Sequence, residues 1–299
     1  MLYATTSHLA ECPDLGPECR SGTPPTPYNH HVDQLMSDVS LDVSYGIAPW
    51  LAAELRLVLR IVDVDPTYSE VDGTPKSVPN DIHHHDETLV GPGDPWLVLR
   101  AAGAHDKLVT GARFGVSLPI GRTEADPYAL GAEGRWHEHL QFGTGTFVPI
   151  VGAGVSYAFE PVELSLSALG LFSVYENDEG YRAPSRFFLS TRATFPLGEG
   201  VYKPYVSADL THETEELWGG MEGMEGSTVR TEVLLGAGIA VLFADPWTAE
   251  LGVRARVAQL TDAASFDYLG LLQVALSTYF DLGPSQAPAT EPPEHQGRR

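Results

Sequence analysis

Polar and apolar residues alternate along most of this chain, in segments that are long for β-strands. From Val162 to Tyr175 every second side chain is apolar, and only Leu169 and Leu171 interrupt the polar series between them. Successive side chains of a strand point to opposite faces of the sheet, so this segment is a strand with one apolar and one mostly polar face. The alternation predicts an all-β protein.

Eleven segments show this alternation, and many of them have 11 or more residues. Strands of globular proteins centre on about five or six residues, whereas a strand tilted across a bilayer needs about 9–11. The connections between the segments alternate between short turns and long loops, as in outer-membrane barrels with short periplasmic turns and longer outer loops. The segments lie near 35–45, 50–62, 95–103, 107–119, 147–159, 162–174, 185–196, 201–213, 228–243, 247–259 and 267–281.

The parity of this count predicts one more strand. Bacterial single-chain barrels have an even number of strands, and eleven is odd. We expect the missing strand before residue 35, with Leu2–Ser7 as its outer end, so that the first strand is incomplete and a signal peptide lies upstream of Met1. The predicted fold is therefore a single up-and-down antiparallel transmembrane β-barrel of about 12 strands, in the bacterial outer membrane.

The predicted barrel occupies residues 1–281, and the Pro-rich segment 282–299 is expected to be a disordered periplasmic tail. Cys12 and Cys19 flank a short loop near the start of the chain, where they form a small disulfide, two free thiols or a metal pair. Outer loops are expected at 8–34, 63–94, 120–146, 175–184, 214–227 and 260–266.

Composition excludes several classes of function. The chain carries 40 acidic against 18 basic residues, a net charge of -22, which argues against binding to nucleic acid. The G-x-S-x-G, P-loop, H-E-x-x-H and dinucleotide fingerprints are absent, so we expect no enzymatic activity. The expected partners are outer-membrane lipid and a small-molecule solute, and the sequence leaves the oligomeric state open.

Charged residues occur inside the predicted strands, opposite the apolar face. A charge that faces lipid costs about 2–4 kcal/mol at the middle of the bilayer, so we expect these side chains to line the lumen. They then form either a polar pore that filters solutes by charge or a set of ion pairs that plugs a narrow barrel. The residues are Glu54, Arg56, Arg60, Arg113, Glu163, Arg192, Arg230, Glu232, Glu250, Arg254 and Arg256.

Histidines are concentrated in the expected outer loops. Imidazoles with neighbouring carboxylates are donors that suit divalent transition metals, and convergence of the second and third outer loops would close a site. The alternative is a set of solvated loop side chains, and no other cofactor is expected. The candidate metal ligands are His83, His84, His85, Asp86, Glu87, His137 and His139.

Three stretches in the middle of the chain carry a family resemblance. They are Gly93–Arg100 (GDPWLVLR), Arg113–Glu124 (RFGVSLPIGRTE) and Leu140–Tyr157 (LQFGTGTFVPIVGAGVSY). They contain Gly-Asp, Leu-Pro-x-Gly and Gly-Thr-Gly motifs at the ends of predicted strands. In these motifs the chain resembles the transporter-like outer-membrane barrels named for meta-pathway phenol degradation. The resemblance covers about 65 residues and implies a barrel that passes small, often hydrophobic molecules.

The function expected from the sequence is a passive channel or uptake pore for small solutes. One alternative is a metal- or ligand-binding surface protein of the outer membrane with a plugged lumen. A second alternative is a soluble all-β binding module, whose strands would be shorter and packed against a partner sheet.

Overall fold

A computed structural model describes residues 1–10, 26–78, 84–222, 228–261 and 266–280. Cys12, Cys19, His83 and the tail 282–299 lie outside these ranges. The strands are β1 Leu2–Ala10, β2 Tyr28–Ala48, β3 Leu51–Glu70, β4 Glu87–Pro92, β5 Trp96–His105, β6 Leu108–Ser117, β7 Val148–Phe159, β8 Val162–Leu171, β9 Tyr181–Arg182, β10 Arg186–Thr194, β11 Tyr202–Glu213, β12 Leu217–Trp218, β13 Met221–Glu222, β14 Arg230–Ala244, β15 Trp247–Gln259 and β16 Phe266–Ser277.

Within the described ranges, twelve long strands form a closed antiparallel barrel. Each pairs with its neighbours in the order β1-β2-β3-β5-β6-β7-β8-β10-β11-β14-β15-β16, and β1 closes the ring because it pairs with both β2 and β16. The predicted all-β barrel of about 12 strands is therefore confirmed. No helix in this part of the chain is long and apolar enough to cross a membrane.

The remaining elements lie at the end of the barrel that carries the long loops, which the sequence predicts to be the outer end. Strand β4 is an extra strand that continues the line of β5 and pairs with Leu59–Val64 of β3. Strands β9, β12 and β13 form a small sheet among the outer loops. A single helical turn, α1 (Pro127–Ala132), follows β6 and is capped by the carboxylate of Asp126.

The first strand, β1, pairs along only part of the length of each neighbouring strand. Strand β1 pairs with Tyr28–Met36 of β2, and its residues Leu2–Thr6 pair with Phe266–Leu271 of β16. Residues Ser37–Ala48 of β2 pair with β3 but, among the described residues, have no second strand beside them. With nine residues against 21 in β2, β1 is the short member of this hairpin.

The outer surface of the barrel is apolar because alternate residues of each strand point away from its axis. On β2 the exposed outward series includes Val39, Leu41 and Val43, and on β15 it includes Leu251 and Val253. This face has no protein partner in the described chain. An apolar band of this kind is what a barrel presents to lipid.

The polarity of the alternation inverts at the outer end of β2 and β3. There Val32, Val62 and Val64 point inward and are buried, whereas Asp33 and Asp65 point outward and pair with each other in register. Both strands continue through this inversion, so they reach into the ranges 8–34 and 63–94 that the sequence assigns to loops. Strand β4 also lies inside the second of these ranges. The predicted segment ends therefore mark the edge of the apolar band rather than the strand ends.

Leu169 and Leu171, which interrupt the polar series of β8, point into the barrel. Leu171 is buried in a cluster with Val98, Val148 and Ile150, and Leu169 packs against that cluster. The interruption thus marks an apolar layer in the interior.

The outward-facing apolar residues predict how a charged substitution on the outer surface changes the stability of the barrel. Val253→Arg, near the middle of β15, is expected to lower the free energy of unfolding in lipid vesicles by about 2–4 kcal/mol, since an arginine there must enter hydrocarbon. Leu260→Arg, at the exposed residue that directly follows β15, is the control, with an expected cost of about 0–1 kcal/mol. Denaturant titration measures both, and equal costs at the two positions would contradict the lipid-facing assignment.

Candidate functional site

The loop from 118 to 147, between β6 and β7, folds over the inner face of the barrel wall. Phe142 is buried against Val32, Val62 and Leu89 of that wall. The guanidinium of Arg60 donates to the carbonyl oxygens of Gln141 at 3.4 Å and Phe142 at 3.5 Å. This loop therefore narrows the interior of the barrel, and we call it the inner loop.

A buried carboxylate, Asp94, holds both ends of the inner loop. Its Oδ1 accepts from the backbone N–H of Gly121 at 2.8 Å, and its Oδ2 accepts from the backbone N–H and hydroxyl of Thr144, both at 2.7 Å. Hydrogen bonds to an ionised carboxylate are about twice as strong as neutral ones. Because Asp94 lies between β4 and β5, these bonds tie the loop to the barrel wall.

Two glycines make this contact sterically feasible. A Cβ on Gly121 would lie 2.7 Å from the Gly143 Cα and 2.8 Å from the Asp94 Oδ1, and a Cβ on Gly143 would meet the Gly121 Cα at 2.6 Å. The Gly-Asp, Leu-Pro-x-Gly and Gly-Thr-Gly motifs thus meet at one place, although they are far apart in sequence. The three motifs that the sequence analysis selected therefore supply the residues of this contact. We call the contact of Asp94 with Gly121, Gly143 and Thr144 the latch.

The next outer loop packs on the same ends of the inner loop. The Asn177 side-chain amide donates to the Thr144 carbonyl oxygen at 3.2 Å, and Gly145, at a φ of 65°, lies directly beneath it. Tyr181 and Trp218 are buried together, and Tyr128 of α1 packs against them. The outer loops are therefore packed on one another over the barrel.

Two cavities adjoin the inner loop, with volumes of about 180 Å³ and 480 Å³. A shared group of residues lies between them, so a solute that moves from one cavity to the other passes these side chains. The shared residues are Asp38, Arg60, Gln141, Phe142 and Arg186.

Most of the charged residues that the sequence assigns to the lumen occur in cross-strand ion pairs. Glu54 contacts Arg100 at 2.6 Å and Arg113 at 3.6 Å, and Arg60 contacts Asp38 at 3.3 Å. Glu163 differs, because it is exposed near the start of β8. The other pairs are Arg56–Asp42 at 3.7 Å, Arg192–Glu250 at 3.4 Å, Arg230–Glu213 at 2.9 Å, Arg254–Asp209 at 3.0 Å and Arg256–Glu232 at 3.2 Å.

Several of these partners were not among the residues selected from the sequence. Asp38, Asp42, Arg100, Asp209 and Glu213 occupy the same alternating positions as the selected residues. The alternation could have identified them. Their pairing could not be read from it, because the register between strands decides which charges meet.

The metal-ligand candidates divide into two groups. The Nδ1 of His85 lies 3.9 Å from a carboxylate oxygen of Glu87 and 3.7 Å from one of Glu138, which brings the second and third outer loops together. Glu138 was missed by the sequence reasoning, although it alternates with His137 and His139. Burial raises the pKa of Glu138 to about 8, and the neighbouring carboxylate of Glu87 adds to this shift.

The other candidates point elsewhere. The rings of His137 and His139 are 5.2 Å apart on the opposite side of the segment, where His139 meets Tyr128 of α1. His84 packs its ring on His30 at 5.3 Å. Asp86 is exposed. Of the candidates in the described residues, only His85 and Glu87 therefore converge on one point.

A closed twelve-stranded antiparallel barrel with an apolar outer surface has the architecture of an outer-membrane β-barrel protein. The chain is similar to the crystal structure of the COG4313 outer membrane channel from Pseudomonas putida F1, with a TM-score of 0.54 and 12% identity. The similarity covers 92% of this chain and 91% of that one, and at this identity it shows the fold alone.

No family model matches the chain, and no curated protein matches it. The barrel implied by the resemblance to the phenol-degradation transporters is confirmed. Membership of that particular family stays a prediction.

The close approach of the two glycines predicts a strong position dependence for alanine. Gly121→Ala is expected to loosen the inner loop, since overpacking costs about 1–3 kcal/mol, and to speed trypsin cleavage after Arg122 and Arg135 by about 5- to 100-fold. Gly103→Ala is the control, because a Cβ there has no atom within 4 Å. Equal cleavage rates in both variants would show that the latch does not hold the loop.

Proposed function

We propose that this protein is an outer-membrane channel that passes small solutes passively. The observation that carries the proposal is the inner loop, which is fixed inside a closed barrel by Asp94 and lines two adjoining cavities. The apolar outer face and the similarity to a known channel fold support a location in the bacterial outer membrane. The same exposed apolar face argues against a soluble binding module.

The cavity dimensions favour small solutes. The smaller cavity, about 180 Å³, is lower in volume than the roughly 300–1,000 Å³ of typical pockets for drug-sized ligands. Its lining combines apolar side chains such as Trp96 and Leu171 with the charged Arg60 and Arg186. A solute with both an apolar and a polar part fits this lining best.

The ion pairs favour selection by size over selection by charge. Arg60 is paired with Asp38, and Arg186 lies 3.2 Å from Glu213. Arg186 shares the Glu213 carboxylate with Arg230, so the cations at the passage between the cavities are partly neutralised by carboxylates, which reduces the field that a passing ion experiences. We therefore propose a narrow channel with weak ionic selectivity.

Conductance in planar bilayers tests the channel directly. The wild-type protein is expected to give small, stable conductance steps. Asp94→Ala is expected to give larger and more variable steps, because the loss of the acceptor leaves two buried N–H groups unpaired and frees the inner loop. Asp106→Asn, in the exposed β5–β6 turn, is the matched control and should behave as wild type. Absence of conductance in both wild type and Asp94→Ala would instead support a plugged surface protein.

Unpairing one arginine should change the ionic selectivity. Asp38→Asn leaves Arg60 without its carboxylate partner, so the passage gains net positive charge and the reversal potential in a KCl gradient should shift toward that of chloride. Asp106→Asn removes the same charge from the turn and is expected to leave the reversal potential unchanged. A shift of equal size in the two variants would mean that Arg60 does not line the conducting path.

A further inference from the structure

We propose that His85, Glu87 and Glu138 form a binding site for a divalent transition-metal ion on the outer side of the barrel. The site lies outside the passage between the two cavities, and nothing in the proposed channel activity requires it. It would join the inner loop to the start of β4.

The three donor atoms are arranged around one point. The His85 Nδ1 and one carboxylate oxygen from each glutamate all lie within 4.8 Å of one another. Donors that share one zinc ion at about 2.0–2.2 Å are separated by roughly 3.0–3.6 Å. The observed separations from His85, 3.7 and 3.9 Å, are therefore a few tenths of an ångström from a ligating arrangement.

The donor atoms are buried and lack hydrogen bonds. The Nδ1 of His85 and the Oε1 atoms of Glu87 and Glu138 have no hydrogen-bond partner among the described residues, and Glu138 is only 8% exposed. Buried polar atoms are nearly always satisfied, so three unsatisfied atoms that face one another indicate a missing partner. A cation that accepts all three lone pairs is the partner that fits.

Local charge also favours a cation. The two glutamates are close together, and the nearby guanidinium of Arg122 is engaged by Glu124. Glu138 is buried and Glu87 is partly buried, and among the described residues only His85 forms an ion pair with either of them. A bound positive ion would stabilise the two carboxylates.

The donor set defines the class of metal. One imidazole nitrogen with two carboxylate oxygens suits zinc and its first-row neighbours, whereas calcium and magnesium prefer oxygen alone. Three protein ligands also leave a coordination position for water. Zinc is therefore the appropriate probe, and cobalt is its spectroscopic substitute.

The position of the site gives metal binding a structural consequence. His85 and Glu87 belong to the segment that leads into β4, whereas Glu138 belongs to the inner loop and lies four residues before Phe142. A bound ion would hold the inner loop to the wall at a second point, in addition to Asp94. Metal binding would then reduce the movement of the inner loop relative to the barrel wall.

Isothermal titration of the full, detergent-folded chain with ZnCl₂, after treatment with EDTA, tests the proposal. One equivalent is expected to bind. His85→Ala, Glu87→Gln and Glu138→Gln should each lower the affinity by about tenfold to a hundredfold or more, since even indirect partners of a metal ligand contribute that much. His105→Ala, which removes a 90% exposed histidine, and Asp86→Asn are the controls and should retain the affinity.

A second measurement uses the wild-type chain alone and does not depend on the folding of a variant. Zinc should slow the modification of His85 by diethylpyrocarbonate at least about tenfold, because a ligated nitrogen is not nucleophilic, and should leave His105 unchanged. Unchanged affinity in all three variants, or equal modification of His85 with and without zinc, would overturn the proposal. Loss of zinc binding in the two control variants as well would assign the ion to another place and would also overturn it.

Discussion

A single buried carboxylate organises the interior of this barrel. An ionised group removed from water must be fully hydrogen-bonded, and Asp94 meets this requirement with three donors from the two ends of the inner loop. The loop is therefore closed on itself and attached to the wall at one place. The burial of Phe142, the contact of Arg60 with the loop carbonyls and the division of the cavity all depend on that attachment.

The wall and the lumen obey different constraints. Outside, the strands expose apolar side chains that have no protein partner in the described chain. Inside, charges are tolerated because they meet in ion pairs such as Arg254–Asp209, and an apolar layer around Ile150 fills the space between them. A barrel with a charged interior is consequently compatible with a narrow and nearly neutral passage.

The sequence was sufficient for the barrel because the rule that produces its pattern is local. Each residue in the apolar band faces the outer surface or the lumen according to whether its position in the strand is odd or even, so alternation alone identifies the strands. The outer ends of β2 and β3 were missed because the outer surface of the barrel changes there from apolar to polar. At this end of β2 the inward-facing residue, Val32, is apolar and the outward-facing residue, Asp33, is charged, which is the reverse of the pattern in the apolar band.

The site was less predictable because it is made of residues that are distant in the chain. The motifs around Asp94, Gly121 and Gly143 were recognised in the sequence as turn and strand-end motifs. Only the fold brings them into contact with one another. Convergence of the two histidine-rich loops was expected, yet the residue of the inner loop that lies beside His85 is Glu138, because the loop turns His137 toward α1. Which side of a loop faces the wall is decided by tertiary packing.

Amide hydrogen exchange of the folded wild-type protein measures the latch itself. The N–H groups of Gly121 and Thr144 lie in a loop, outside any strand ladder, and Asp94 is their acceptor. If Asp94 holds the inner loop inside the barrel, both amides are protected to the same degree as those of the adjoining strands β6 and β7. Exchange at the rate of an exposed loop amide, such as that of Asp106, would contradict a latched inner loop.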